Sequence, residues 1–471
     1  MISQETVPNQ AMKTSAWSKC GKVSLLLALL ALPLMVACGD TKEPAGPGDD
    51  AGPDKDGDIG GDGKTFPKAV GEILVTKCGS CHQDGGIGTF PMDYEHAKPF
   101  AALIKSSTQA RLMPPMPVNN DGTCQEYANA RWLTDEELQI VADWVDDGAP
   151  SGDEEKEVDL PVLSTLENPD IVLEPPMPYT PMGTTGSPND SYRCFPIYPG
   201  LSTDKYITGA EIVPGSKKVA HHMIVYLPPA QDQAWVAAED AKSPDEEGYP
   251  CFGAVSPNQA LPIVLWAPGS GRIDMPEGTG IKMPKDRVIV MQMHYNLAQG
   301  TEADQTKVKL RLEDSVAKEA IFFPLLDASF NIPAQKELQK TVPSGTDGTS
   351  GILALPVPLP AANLLTIYGV FPHMHKAGRT LNVKLSMDGM ADQCLVDVDR
   401  WDFAWQEGWF YDAPINLPAG SGVKFTIQCG FNTMDRNVST TWGENTADEM
   451  CLNFLYITSP LLTQIKDLGG L

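Results

Sequence analysis

The 471-residue chain has seven histidines, and five of them fall in three tight groups: His221-His222, His294 and His373-Met374-His375. A sixth, His82, closes the run Cys78-Gly79-Ser80-Cys81-His82, and only His96 stands outside a motif. Imidazole used so sparingly and in clusters points to transition-metal ligation. The Cys-x-x-Cys-His run points to a second redox chemistry. Its two thiols can form thioethers with the vinyl groups of a haem while His82 binds the iron. The stretch Arg111-Leu112-Met113-Pro114-Pro115-Met116-Pro117 offers a thioether for the opposite face of that haem. Its prolines hold an extended loop, and Met113 is preferred over Met116 as the sixth ligand. The alternative is a Cys-x-x-Cys redox or zinc pair beside an incidental histidine.

Residues i and i+2 of a strand face one side, so His373 and His375 can bind one metal together. His294 ends the apolar run Val288 to Tyr295, where burial without a partner is costly. His221 and His222 cannot both point the same way from a regular strand. Each group alone reads as ordinary core or edge histidine; taken together they read as ligands. Nitrogen donors leave zinc, copper, iron and nickel open. A thioether would favour copper, but with 18 methionines in the chain the spacing alone does not select one.

A chain of this length holds two to four domains, and an apolar content of 42% is enough for several cores. A net charge of −26 argues against nucleic acid as a partner. At the N-terminus Lys13, Lys19 and Lys22 precede the apolar run Val23 to Val36, which is short for a membrane span. Met35-Val36-Ala37-Cys38 then has the form of a bacterial lipoprotein cleavage site. Residues 1–38 are therefore expected to be a signal peptide ending in a lipidated Cys38, which anchors the exported protein in a bacterial cell envelope. Residues 39–65, with eight acids and three lysines, read as a disordered tether.

Residues 66–150 read as a small all-α unit. In its last helix Thr134 and Glu137 form a capping box, Leu138, Val141, Ala142 and Val145 make an apolar face, and Gly148 follows the end. An acidic linker, 151–165, separates it from a region of short alternating strands between Pro and Gly turns. That region is expected to be mainly β: two consecutive antiparallel, jelly-roll-like sandwiches over 166–310 and 311–471. Outside the leader, Cys38 and the haem motif, six cysteines remain: Cys124, Cys194, Cys251, Cys394, Cys429 and Cys451. In an exported protein an even number suggests disulfides.

Residues 66–150 resemble small bacterial c-type cytochrome domains, in the haem motif, the Met-Pro-Pro loop and the terminal Trp144-Val145-Asp146-Asp147-Gly148-Ala149-Pro150. The region from about 166 to 460 resembles the copper type II ascorbate-dependent monooxygenases, the family of dopamine beta-monooxygenase and peptidylglycine alpha-hydroxylating monooxygenase. The matching stretches occur in the family's order. They are His221-His222-Met223, Gln292-Met293-His294-Tyr295, His373-Met374-His375, and Gly443 followed by Asp448-Glu449-Met450-Cys451.

This resemblance implies two copper ions on two β-sandwich domains that face a cleft. His221, His222 and His294 match the ligands of an electron-transfer copper. His373, His375 and Met450 match those of the copper where O2 and substrate meet, and so are the expected catalytic residues. It also implies the disulfides Cys194–Cys251 and Cys429–Cys451, and it leaves Cys124 and Cys394 unassigned. Peptide-amidating members hold a substrate carboxylate with an arginine before the paired histidines and a tyrosine after the methionine. Here Phe371-Pro372 and Leu452-Asn453-Phe454 take those places, so a neutral or aromatic small molecule fits better than a glycine-extended peptide.

The resulting expectation is an exported copper monooxygenase carrying one covalent haem c. The haem would feed the copper held by His221, His222 and His294, replacing or supplementing an ascorbate-like reductant or a periplasmic cytochrome. The rival is a non-catalytic haem and copper electron-transfer or copper-handling lipoprotein.

Overall fold

The computed structural model describes residues 65–83, 86, 88–128, 130–152, 165–183, 188–244, 246–251, 254–268, 270–341, 364–420, 422–460 and 462. The expected leader with Cys38, the tether up to residue 64 and most of the 151–165 linker lie outside the described residues.

The first segment is helical, with helices Lys68–Cys78, Ala101–Gln109 and Asp135–Asp146. The last carries the expected capping box. The Thr134 hydroxyl accepts from the Glu137 amide at 3.1 Å, and the Glu137 carboxylate accepts from the Thr134 amide at 2.8 Å. Gly148, at φ 87°, turns the chain out of this helix in the left-handed conformation that glycine adopts freely. Phe66, Leu74, Val75, Tyr94, Val141 and Trp144 form the small core, with Phe66 set edge-on to Tyr94 and to Trp144 at 5.6 Å.

The rest of the chain is mainly β. One sheet runs Tyr249–Pro250, Asp190–Ile197, Ile289–Asn296, Ala220–Leu227, Leu261–Trp266, with antiparallel neighbours. A second runs Gln339–Lys340, Val423–Phe431, Gly378–Met387, Gln393–Val398. Between them lies a nine-stranded sheet that draws on both halves of the β region. The halves meet where Lys318–Leu326 pairs parallel to Thr279–Met283 and antiparallel to Leu452–Thr458, which in turn pairs with Thr366–His373.

This shared sheet explains a departure from simple alternation. In Gly378–Met387 and Val423–Phe431 buried and part-exposed residues largely alternate, as strands covered on one face should. In Lys318–Leu326, Thr366–His373 and Leu452–Thr458 both faces are covered. Ile321, Phe323, Ile367, Val370, Leu455 and Ile457 join the core toward the four-stranded sheet. Phe322, Tyr368, Phe371, Phe454 and Tyr456 join the core toward the five-stranded sheet. The two halves therefore share one continuous sheet, with one core on each of its faces, and strands of the second half contribute to the core of the first.

Part of the helical segment is woven into this body. Met116, Val118 and Tyr127 belong to the core beneath the four-stranded sheet. Val118 bridges Val398, Tyr127 bridges Tyr411, and Cys124 is disulfide-bonded to Cys394. The other disulfides are Cys194–Cys251 and Cys429–Cys451, the pairings implied by the family resemblance.

Phe322 sits at the centre of the common sheet, with ring centroids 4.9 Å from Phe371 and 5.3 Å from Tyr456. Replacing it by Ala should destabilise the protein by about 3–5 kcal/mol. In urea unfolding, the signals of the two β halves should shift together, because they share this sheet. Separate transitions, with only one of them moved, would contradict the shared layer.

Candidate metal centres

His222 and His294 are cross-strand partners in the five-stranded sheet, and Tyr192 is the partner of His294 on its other side. The register slips between Ala220 and His222, a bulge that leaves His221 outside regular pairing. Such a bulge re-aims a side chain, and it lets adjacent histidines serve one centre, which a regular strand forbids. The Nδ1 atoms of His221 and His222 stand 3.2 Å apart, and those of His222 and His294 stand 3.3 Å apart. One ligand atom from each of the three rings lies within 4.8 Å of the others. A metal bound to imidazole nitrogens at roughly 2.0–2.1 Å in tetrahedral array spaces them by about 3.3 Å, so these residues fit a metal ion. The other nitrogen of His294, Nε2, donates to Asp190 Oδ1 at 2.8 Å, which fixes the tautomer and turns the Nδ1 lone pair toward the cluster.

His373 ends the doubly covered strand Thr366–His373, and His375 lies two residues beyond His373 in the turn before Gly378–Met387. His373 Nδ1 donates to Gln406 Oε1 at 2.6 Å, and His375 Nδ1 to the Asp448 carbonyl at 3.3 Å. Both rings thus carry their proton on Nδ1 and keep the Nε2 lone pair available to a metal. His375 Nε2 is buried without a hydrogen-bond partner, an arrangement that is costly unless a ligand meets the nitrogen. Met450 lines the same cleft as His373 and His375, so a thioether can complete a set of soft and nitrogen donors suited to copper.

The buried carboxylate of Glu449, next to Met450, holds the two parts of this centre together. It accepts from the backbone amides of His375 at 2.9 Å and Ala377 at 2.5 Å and pairs with Arg436 at 3.2 Å. Burial pushes Glu449 up to about 7 against the lowering effect of those bonds. A Cβ on Gly443 would run into the Cβ, Cγ and Oδ2 atoms of Asp448, so this loop requires glycine there.

The two centres lie side by side. The rings of His222 and His373 have centroids 5.4 Å apart, and Phe403 stacks on His221 at 4.4 Å. Thr446, from the Met450 loop, donates its hydroxyl to Asp190, and Tyr192 donates to the Glu444 carbonyl while stacking on His294 at 4.3 Å. An open cleft of about 1620 Å³ runs past His222, His373, His375 and Met450, and Phe371, Pro372, Leu452 and Phe454 line it. Two aromatic side chains, Phe371 and Phe454, therefore stand in the cleft wall beside His373 and Met450.

Cys78, Cys81 and His82 come together at the end of the first helix, with both thiols free. Burial first, and then the neighbouring Cys81, push the Cys78 thiol up to about 12. His82 Nδ1 donates to the Phe90 carbonyl at 2.9 Å, which leaves Nε2 free for iron. Gly88 packs on this ring: a Cβ there would stand 2.6 Å from His82 Nδ1. Cys81 lines the large cleft, whereas Met113, 39% exposed, lines a small separate pocket with Thr108, Arg111 and Trp132. Met116 is buried in the β core.

Residues that sequence reasoning missed are Asp190, Tyr192, Gln406, Phe403 and Glu449 as orienting groups. They are ordinary residue types distant in sequence from the histidines they touch, apart from Glu449, which adjoins the ligand-like Met450 and carries no separate sequence signal.

The described residues thus form a mainly β protein in which two clusters of histidines face one another, one of them with ligand atoms close enough to hold a metal ion. The description "Copper type II ascorbate-dependent monooxygenase, N-terminal domain" matches residues 183–302, and its C-terminal counterpart matches 345–465. The two matches span just over half of the chain, and the chain belongs to this copper-using family. Mouse DBH-like monooxygenase protein 1 is 24% identical over 361 residues, covering 71% of this chain and 56% of that protein. Tyramine beta-hydroxylase of Caenorhabditis briggsae is 26% identical, covering 52% of this chain and 40% of that protein. Horse dopamine beta-hydroxylase is 23% identical, with the same coverages of 52% and 40%. The chain spans about half the length of the first of these relatives and less of the other two.

Burial, chiefly, holds all five clustered imidazoles neutral. His221 is lowered to about 3 and His373 to about 4, and His222, His294 and His375 are lowered too. A histidine whose folded value lies below its unfolded value near 6.5 stabilises the fold above that pH and loses this contribution as pH falls. The urea midpoint of the metal-free protein should therefore drop steadily between pH 6.5 and about 4. A midpoint that stays flat over this range would contradict the burial of neutral rings.

Proposed function

We propose that this protein is an exported copper monooxygenase that hydroxylates a C–H bond of a neutral or aromatic small molecule and draws electrons through a fused c-type haem. The reaction is R–H + O2 + 2e⁻ + 2H⁺ → R–OH + H2O. The observation that carries this reading is the opposition of two donor sets in one cleft. Three Nδ1 atoms converge on one side, and the orphaned Nε2 of His375, with His373 and Met450, stands on the other.

In this reading residues 66–150 are the cytochrome c-like domain, attached to haem by Cys78 and Cys81 and ligating it through His82, with Met113 as the expected sixth ligand. Residues 166–310 and 311–471 are the N- and C-terminal copper-binding sandwich halves. His221, His222 and His294 hold one copper, and His373, His375 and Met450 hold the other. Bound copper supplies one-electron redox steps and an open position for O2, which a set of two imidazoles and a thioether suits by favouring Cu(I).

The chain's own residues do the rest. Asp190 and Gln406 keep the His294 and His373 rings in the ligating tautomer. Phe371, Phe454 and Trp409 line the cleft with apolar surface, which receives an uncharged substrate and limits water near the centre. The three disulfides fit an oxidising compartment, consistent with a lipid-anchored location through Cys38.

Hydroxylation is tested with protein loaded with copper and haem, a panel of neutral aromatic compounds, and isotopically labelled O2. One labelled oxygen atom should appear in product. Met450→Ile should reduce product at least about 100-fold while the haem spectrum stays intact, and Gln406→Leu should lower activity about 10- to 100-fold. Reductant-dependent O2 consumption without labelled product, or full activity in Met450→Ile, would overturn the assignment.

A further inference from the structure

The segment after the haem-motif helix does not hang beside the copper-binding body; it is built into one side of it. Asn119 donates its amide to the Asp397 carbonyl at 2.9 Å, Ala128 donates to the Phe410 carbonyl at 2.9 Å, and Asp412 donates to the Glu126 carbonyl at 3.0 Å. Gln125 Nε2 donates to the Cys394 carbonyl at 2.6 Å, beside the Cys124–Cys394 disulfide. These ties run to residues 394–412, the strands and loop of the half that carries His373 and His375. The core toward the five-stranded sheet, behind His221, His222 and His294, takes no residue of 65–152 among the described residues.

At the end of this segment stands Arg131. Its guanidinium forms a two-pronged ion pair with Glu407, one arm at 3.3 Å and the other shorter, and both side chains are largely withdrawn from solvent, at 23% and 18% exposure. Gln406, the neighbour of Glu407, accepts the Nδ1 proton of His373 at 2.6 Å. Cys81, Arg131, Glu407, Gln406 and His373 all line the large cleft. The Arg131–Glu407 ion pair, through the chain neighbour Gln406, thus reaches a ring of the second metal centre, and Cys81 of the haem motif lines the same cleft as Arg131.

We propose that electrons from a haem held by Cys78 and Cys81 enter the copper pair at the His373–His375–Met450 side, with Arg131, Glu407 and Gln406 as the positioning residues that couple the two. This rests on the haem and copper reading above and differs from the expectation that the His221–His222–His294 side is the point of entry. With both groups bound, ferrous haem would give up one electron and become ferric, Cu(II) would become Cu(I), and Arg131, Glu407 and Gln406 would hold the two sites in fixed relation. The His222 ring, in contact range of His373, then lies next to the point of entry. The Arg131–Glu407–Gln406 contacts end on His373, and the ties of residues 119–128 run to the same half, so the fixed contacts of this segment lie on that side.

The test uses full-length protein carrying haem and copper, with the haem reduced in one flash by a ruthenium photoreductant and its re-oxidation followed optically. Freeze-quenched EPR samples report which copper has lost its Cu(II) signal. His222→Ala with His294→Ala should leave fast haem re-oxidation in place, and His373→Ala with His375→Ala should slow it at least about tenfold. Removing the Arg131 charge (Arg131→Gln) should lower the haem midpoint potential, and removing the Glu407 charge (Glu407→Gln) should raise it. A merely structural role would not produce opposite shifts. The double variant Arg131→Gln/Glu407→Gln, which buries no lone charge, should slow the transfer with haem and copper content unchanged. Retained fast transfer in the His373/His375 variant, with loss in the His222/His294 variant, would overturn the proposal. A protein with two free thiols and no haem absorption would overturn the underlying haem reading, and this proposal with it.

Discussion

Taking an imidazole out of water removes hydration that apolar neighbours do not return, and five imidazoles gather at and behind this cleft with their rings neutral. Neutral rings whose lone pairs face one another are stable only if something accepts those lone pairs. Each orienting contact in the cleft serves this constraint. Asp190, Gln406 and the Asp448 carbonyl each engage one nitrogen of a ring and leave the other turned inward. The fold adds rigidity behind them. His294 sits on the middle strand of its sheet, and His373 ends a strand covered on both faces.

The two centres are also mutually dependent. Asp190 orients His294 but takes a hydrogen bond from Thr446, which lies in the loop leading to Met450. Glu449, in that loop, holds the backbone of His375 and Ala377. A change in the Met450 loop therefore reaches both donor sets. The nine-stranded sheet makes the same point at the level of packing, since Phe322 and Tyr456 support the side of the cleft that carries His373 while packing in the core behind His294.

Much of this was legible in the sequence because ligands of one type cluster at short spacing. The His-x-His pair, the histidine at the end of an apolar run, the capping box at Thr134 and the mainly β character all follow from local periodicity. What local periodicity does not carry is pairing across the chain. Asp190 and His294 are separated by 104 residues, and Arg131 and Glu407 by 276, with no composition signal to join them. The Cys124–Cys394 bond spans 270 residues and crosses from the helical segment into the sheets, so it had no local cue. The bulge at His221 was hidden for a different reason: strict alternation places neighbouring histidines on opposite faces, and one unpaired residue removes that rule. The parallel pairing of Thr279–Met283 with Lys318–Leu326 likewise joins what the sequence pattern divides near 310.

The central claim is that two separate donor sets each hold one copper. Metal analysis of the mature protein, reconstituted anaerobically with copper and haem and freed of loosely bound ions, tests it most directly. The account predicts about two coppers per haem iron, falling to about one when His373 and His375 are both replaced by Ala. About one copper or none in the parent protein, or a count unchanged by that double replacement, would contradict it.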